Sequence, residues 1–183
     1  MPQLDVHASA VAIREAGVLI RGPSGSGKSR LALALIAGAR GAGAFSRLIG
    51  DDRIALEARH GRLIARGHPK IRGQIEQRGA GILRLPYIDA AVIRVVADLA
   101  PADEAARYPE PASEDAEACP LNCEDWDFRG LGSVNVGGLW LPSLVLPACV
   151  GASDLALVIL QRFRFGCESG SGPRQGGGET MMT

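Results

Sequence analysis

The sequence predicts an α/β domain: a central mixed or largely β sheet, a phosphate-type loop that leads from a strand into a helix, and helices flanking the sheet. Three observations carry this. Gly22-Pro23-Ser24-Gly25-Ser26-Gly27-Lys28-Ser29 fits G-x-x-x-x-G-K-[ST] at every position. The segment before it, Gly17 to Arg21, has the length and apolarity of a strand, and the segment after it carries Leu31, Leu35 and Ile36 at helical spacing. Short apolar runs bounded by turn residues recur through the rest of the chain.

The elements follow in order. Asp5 to Ile13 and Gly17 to Arg21 read as strands joined at Arg14-Glu15-Ala16-Gly17, and Lys28 to Ala39 as a helix ending in the Gly/Ala run around Gly41 and Gly43. Arg47 to Ile49 is a short strand leading into Asp51-Asp52. Arg53 to Ala58 and Arg62 to Ala65 form a hairpin around His60-Gly61. Ile71 to Leu83, with Gly73, Gly79 and Gly81, predicts a short helix broken by a loop whose backbone needs glycine. Ala90 to Val96 is a buried strand. Val134 to Leu146 predicts two strands broken at Gly137-Gly138 and Pro142, and Ser153 to Phe163 an amphipathic helix capped by Ser153 or Asp154.

At 183 residues the chain is one domain, two at most, and long enough to bury a core without disulfides. Twenty basic and twenty acidic residues exclude a globally basic nucleic-acid binder. The balance hides an asymmetry. Met1 to Ala80 holds 13 basic and 6 acidic residues, whereas Ala97 to Asp127 holds 1 and 10. Pro101 to Asp127 therefore reads as an acidic, solvated insertion, and the basic half as the part that holds phosphates.

Met1 to Asp5 lacks the basic start and apolar stretch of a signal peptide. In the most apolar window, Leu139 to Leu160, the uncharged part ends after about 14 residues, where a membrane-spanning helix needs about 20. The expectation is a cytoplasmic protein with no membrane partner. Cys119, Cys123, Cys149 and Cys167 lack zinc-site spacing and read as free thiols.

The loop predicts nucleotide or pyrophosphate binding. Its glycines let backbone N–H groups turn inward around a phosphate, and the helix start adds a positive dipole end. Lys28 reaches the terminal phosphates and Ser29 offers a hydroxyl to Mg²⁺. The loop does not name the phosphate acceptor. Leu48-Ile49-Gly50-Asp51-Asp52 supplies carboxylates only about 20 residues later, closer than in a standard nucleotidase core. Two adjacent carboxylates on a strand point to opposite faces, so one can meet the phosphate while the other faces the core or the metal.

Four pieces in this order resemble the HPr kinase/phosphorylase family: His7 in Asp5-Val6-His7-Ala8, the loop Gly22–Ser29, Leu48-Ile49-Gly50-Asp51-Asp52-Arg53, and Ile75-Glu76-Gln77-Arg78-Gly79-Ala80-Gly81-Ile82. The match covers roughly residues 4 to 96 and continues more weakly to about 163. The resemblance implies a kinase domain related in fold to phosphoenolpyruvate carboxykinase, in the short form found in alphaproteobacteria. Residues 1–165 would be catalytic, with the acidic insertion at about 101–132, and 166–183 a disordered tail. It implies transfer of phosphate from ATP, with Mg²⁺, to a regulatory serine of the phosphocarrier protein HPr, by a homo-oligomer that is hexameric in the family.

The resemblance also implies residue roles. Asp51 takes the serine proton, Ser29 and Glu76 bind Mg²⁺, and Lys28 and His7 bear on the phosphates. Arg107 is the best match for a later catalytic arginine, while Arg78 is equally consistent with a structural role. One departure bears on direction. The family's Pro-Val-Lys-Val-Gly-Arg loop, associated with dephosphorylation, would fall at Pro147-Ala148-Cys149-Val150-Gly151-Ala152, which has no basic residue. The reverse phosphorolysis needs an anion site, and this loop does not supply one. Two other functions share the phosphate loop: a non-catalytic nucleotide-sensing module, and a small-molecule kinase, which would need an arginine-rich lid where this chain is acidic.

Overall fold

The computed structural model describes residues 3–102 and 131–163. The expectations at Arg107, Cys119, Cys123 and Cys167, the acidic insertion from 103 onward and the tail lie outside the described residues.

The strand expected from Asp5 to Ile13 is two strands, β1 (Leu4–Val6) and β2 (Ser9–Ile13), separated at His7-Ala8. A two-residue turn with Arg14 at φ 53 leads to β3 (Ala16–Arg21). Helix α1 (Lys28–Gly41) follows the loop. It buries Leu31, Ala32, Leu35, Ile36 and Ala39 and stops at Gly43, whose φ of 72 lets Ala44 N–H reach Ala39 O at 2.9 Å and Gly43 N–H reach Arg40 O at 2.9 Å. This is a glycine-terminated C-cap that satisfies the last helical carbonyls. Then come β4 (Ser46–Gly50) and the hairpin β5 (Ile54–Arg59) and β6 (Arg62–Gly67), which turns through His60 and Gly61 at φ 49 and 70, as the sequence predicts.

Residues 71–83 depart from expectation. They form a hairpin, β7 (Gln74–Gln77) with β8 (Gly81–Arg84), preceded by a short 3₁₀ turn (Pro69–Ile71), and not a helix. Ala80 N–H closes the turn on Gln77 O at 3.0 Å, and Gly79 (φ 84) and Gly81 (φ 85) hold positive angles that a helix would not allow. The long strand β9 (Ala90–Ala100) runs four residues past the predicted end. β10 (Gly132–Val136) and β11 (Leu139–Pro147) break at Gly137-Gly138 as expected but continue through Pro142. Pro142 sits opposite Ser133 of β10, and pairing with β9 begins only at Ser143, so the missing N–H falls outside that second ladder. Helix α2 (Ala152–Leu160) starts at Gly151 without a side-chain cap, placing Asp154 in its first turn.

The large sheet has the order β1-β5-β6-β9-β3-β2-β4. β9 is its spine: β3 lies parallel along one edge, while the other edge takes β6 antiparallel over its first half and β11 parallel over its second. Both helices pack on one face, where Leu31, Leu35, Leu155 and Ile159 meet Val11, Val18, Ile20, Val95 and Leu144. The opposite face is covered by the sheet's own strands, with Leu19, Ile49 and Val96 against Ile54, Leu63 and Leu141. The architecture is thus α/β with few helices and a large mixed sheet. Because β4 runs antiparallel to β2, and β2 antiparallel to β3, the end of β4, the start of β2 and the phosphate loop after β3 meet at one end of the sheet.

Candidate active site

A cleft of about 830 Å³ opens at that end, lined by the phosphate loop, His7, Asp51, Asp52, the β7–β8 hairpin and the segment joining β11 to α2. The loop has the backbone that its glycines imply: Gly22, Gly25 and Gly27 have φ of 147, 81 and 99. Gly22 also lies so close to β9 that a Cβ there would stand 2.7 Å from Leu99 O. Just before the loop, Arg21 and Asp98, register partners on β3 and β9, form a bidentate ion pair with both contacts at 2.6 Å.

Lys28 is buried at the helix start, and its ammonium donates to Gly22 O at 2.9 Å and Pro23 O at 2.8 Å across the loop's mouth. Burial lowers its pKa below 10.5, opposed by the nearby charges of Asp51 and Asp52. The Ser26 hydroxyl, also in the loop, is buried and meets no partner among the described residues. A buried donor of this kind, beside inward-turning glycines and an ammonium, fits a phosphate.

Asp51 is 6% exposed. Ser29 Oγ lies 3.1 Å from its Oδ1 and 3.0 Å from its Oδ2, Ser9 Oγ donates to Oδ1 at 2.5 Å, and the Glu76 backbone N–H donates to Oδ2 at 3.3 Å. The next residue turns away. Asp52 has φ 66, and Arg53 N–H closes a three-residue turn on Asp51 O at 2.8 Å, a tight γ-turn geometry of a kind that recurs at functional sites. The two carboxylates do separate, by this turn and not by strand alternation, but Asp52 is largely exposed and does not face the core. Asp52 reaches His7 instead: His7 Nδ1 lies 2.7 Å from Asp52 Oδ1 and 3.1 Å from its carbonyl. With Nδ1 so engaged, Nε2 is left for other partners.

Of the sequence-predicted residues, the structure brings together Ser24 to Ser29, Asp51, His7 and Glu76 around the cleft, while Gly22 and Pro23 take the Lys28 ammonium on their carbonyls. Ser29, Asp51 and Glu76 supply hard oxygen donors of the sort Mg²⁺ takes, which is the donor chemistry the loop motif implies. One residue in contact with Asp51 is not singled out by the sequence reading. Ser9 contacts Asp51 directly; its signal was a hydroxyl at a fully buried strand position. Arg78 lies against the phosphate loop, with a guanidinium nitrogen 3.2 Å from where a Gly25 Cβ would be. The segment Ala148 to Ala152 forms the apolar wall of the cleft, and Cys149 in it is an exposed free thiol. Among the described residues no helix is long and apolar enough to cross a membrane.

Comparison with known proteins agrees with this geometry. The model of the HPr serine kinase C-terminal domain matches residues 1–94. The HPr kinase/phosphorylase of Clostridium tetani is 29% identical over 94% of this chain and 52% of its own length. That of Limosilactobacillus reuteri is 36% identical over 86% of this chain and 45% of its own. That of Mycoplasma mycoides is 44% identical over 44% of this chain and 24% of its own. The chain thus spans between a quarter and about half the length of these curated relatives. The solved structure of the Hpr(Ser) kinase/phosphatase from Coxiella burnetii superposes with a TM-score of 0.61 at 25% identity, covering 86% of this chain and 92% of that one. A family model that matches over half the chain, and a fold shared along most of it, place this chain in the HPr serine kinase C-terminal domain family.

Proposed function

We propose that this chain is an ATP- and Mg²⁺-dependent protein kinase that phosphorylates a serine of an HPr-like phosphocarrier protein. The observation that carries the reading is the contact of Ser29 with Asp51 at 3.0 Å, which sets a buried carboxylate beside the loop's metal-ligating hydroxyl at the mouth of the cleft. Residues 1–165 act as the catalytic domain in this reading.

The chemistry is a displacement at the γ-phosphorus. The acceptor serine oxygen forms a bond to phosphorus, the bond from phosphorus to the β–γ bridging oxygen breaks, and the serine proton passes to Asp51. Lys28 and the loop N–H groups hold the phosphates, while Arg78 and His7 stand where charge develops. Mg²⁺, held by Ser29 with Asp51 and Glu76 at hand, would supply charge neutralisation between the phosphates. Nothing basic lines the wall from Ala148 to Ala152 to hold a free phosphate, so the reading favours the forward reaction over phosphorolysis. The homo-oligomer that the family implies is tested by sedimentation of the full chain.

Intact-mass spectrometry of HPr from the same organism, incubated with this protein, ATP and Mg²⁺, tests the proposal. One added phosphate is expected. It should fall about 10²- to 10⁴-fold with Asp51→Asn and vanish with an HPr lacking the regulatory serine. ATP binding without any transfer would favour a nucleotide-sensing module instead.

A further inference from the structure

Ser9 opens β2 and is wholly buried, locked into the sheet between Ile20 of β3 and the end of β4. Its hydroxyl makes the shortest contact at Asp51, 2.5 Å to Oδ1. The other donors to that carboxylate are the Ser29 hydroxyl, shared between both oxygens, and the Glu76 amide at 3.3 Å on Oδ2. These donors are not equivalent. Ser29 is the loop's candidate metal ligand, so its hydroxyl has a second task besides its contact with Asp51. The Glu76 amide sits on a separate two-stranded hairpin and makes a long contact. Among the described residues, Ser9 is the one close donor to Asp51 from the rigid sheet.

We infer that Ser9 is a positioning residue: it holds Asp51 by Oδ1, so that Oδ2 stays aimed at the acceptor hydroxyl. The arrangement also survives the proton transfer. When the serine proton arrives on Oδ2, Oδ1 becomes a carbonyl oxygen and still accepts from Ser9, so no donor has to move. The inference rests on the kinase reading above.

Ser9→Ala removes the hydroxyl without adding volume, and Ser9→Thr keeps it. Initial rates of HPr phosphorylation, ATP affinity and melting temperature are measured for both. Crystal structures of the wild type and Ser9→Ala with a non-hydrolysable ATP analogue and Mg²⁺ complete the test. Ser9→Ala is expected to lower kcat about ten- to a hundred-fold, the range for a hydrogen bond to a charged group. The KM and Kd for ATP should stay within about two-fold, and Ser9→Thr should restore kcat. In the crystals, Asp51 should keep one rotamer on Ser9 in the wild type and should rotate in Ser9→Ala.

A wild-type kcat in Ser9→Ala, or an unmoved Asp51 in its crystal complex, would overturn the inference. So would a loss that appears equally in ATP affinity and melting temperature, which would mark a packing role. If the wild type itself transfers no phosphate, the kinase reading falls, and the pair of crystal complexes still decides whether Ser9 holds Asp51.

Discussion

Gly50 and Gly67 touch backbone to backbone: a Cβ on Gly50 would stand 2.7 Å from the Gly67 Cα, and a Cβ on Gly67 would run into the Ile49 carbonyl oxygen. They belong to β4 and β6, which are not neighbours in the sheet. The crossing occurs one residue before Asp51 and lets the β5–β6 hairpin fold over the end of β4. Gly67→Ala should therefore lower unfolding free energy by about 1–3 kcal/mol through overpacking. It should also reduce phosphorylation more than ATP binding, because it shifts the carboxylate and not the loop. Urea unfolding together with transfer assays checks both; an unchanged midpoint would show that the strands part at no cost.

Lys28 predicts a pH dependence. Burial disfavours its charged form and lowers its pKa below 10.5, despite Asp51 and Asp52. Below the lowered pKa, folded and unfolded chains both hold the proton, and the cost of the buried charge is fully present. Between the lowered pKa and 10.5 the unfolded chain holds a proton that the folded chain has released, so stability rises with pH in that alkaline window. The melting temperature of the wild type should gain on that of Lys28→Met as pH rises through the window. Titration calorimetry at neutral pH should find ATP binding weakened in the same variant.

The pair of His7 with Asp52 lies at the surface, with side chains 51% and 60% exposed. Such a pair adds little to stability, about 0–1 kcal/mol. His7→Ala should leave the urea midpoint nearly unchanged and lower the phosphorylation rate, whereas a purely structural histidine would give the opposite split.

The bidentate pair of Arg21 with Asp98 ties the strand before the phosphate loop to β9. Its side chains are 30% and 26% exposed, so its contribution is moderated by solvent. Asp98→Ala should cost about 1 kcal/mol of stability and raise the KM for ATP with kcat little changed, since it loosens the loop's anchor and not the chemistry. Steady-state kinetics with ATP varied will show whether the effect falls on KM.

The chain's local features are legible in its sequence. The phosphate loop, α1 and the β5–β6 hairpin each follow from a short stretch of residues: glycines where φ must be positive, apolar residues at helical period, a His-Gly turn between alternating strands. The segment 71–83 departs from the sequence expectation because its glycines fit a broken helix as well as a hairpin, and two four-residue strands are too short for their period to decide. Pro142 predicts a break because its sequence neighbourhood does not reveal that the strand changes partners there.

The phosphate loop, the carboxylates available to it and the family to which the motifs point are all readable from the amino acids alone, because they depend on residue types at short, fixed spacing. Which groups meet Asp51 depends on the folded sheet. Ser9 lies 42 residues away in the chain and reaches it through the pairing of β2 with β4. The Glu76 amide arrives on a hairpin from a different sheet, and His7 is drawn to Asp52 by a turn at positive φ. The register of a sheet is set by packing summed over its whole buried face, and no local window of residues contains that sum.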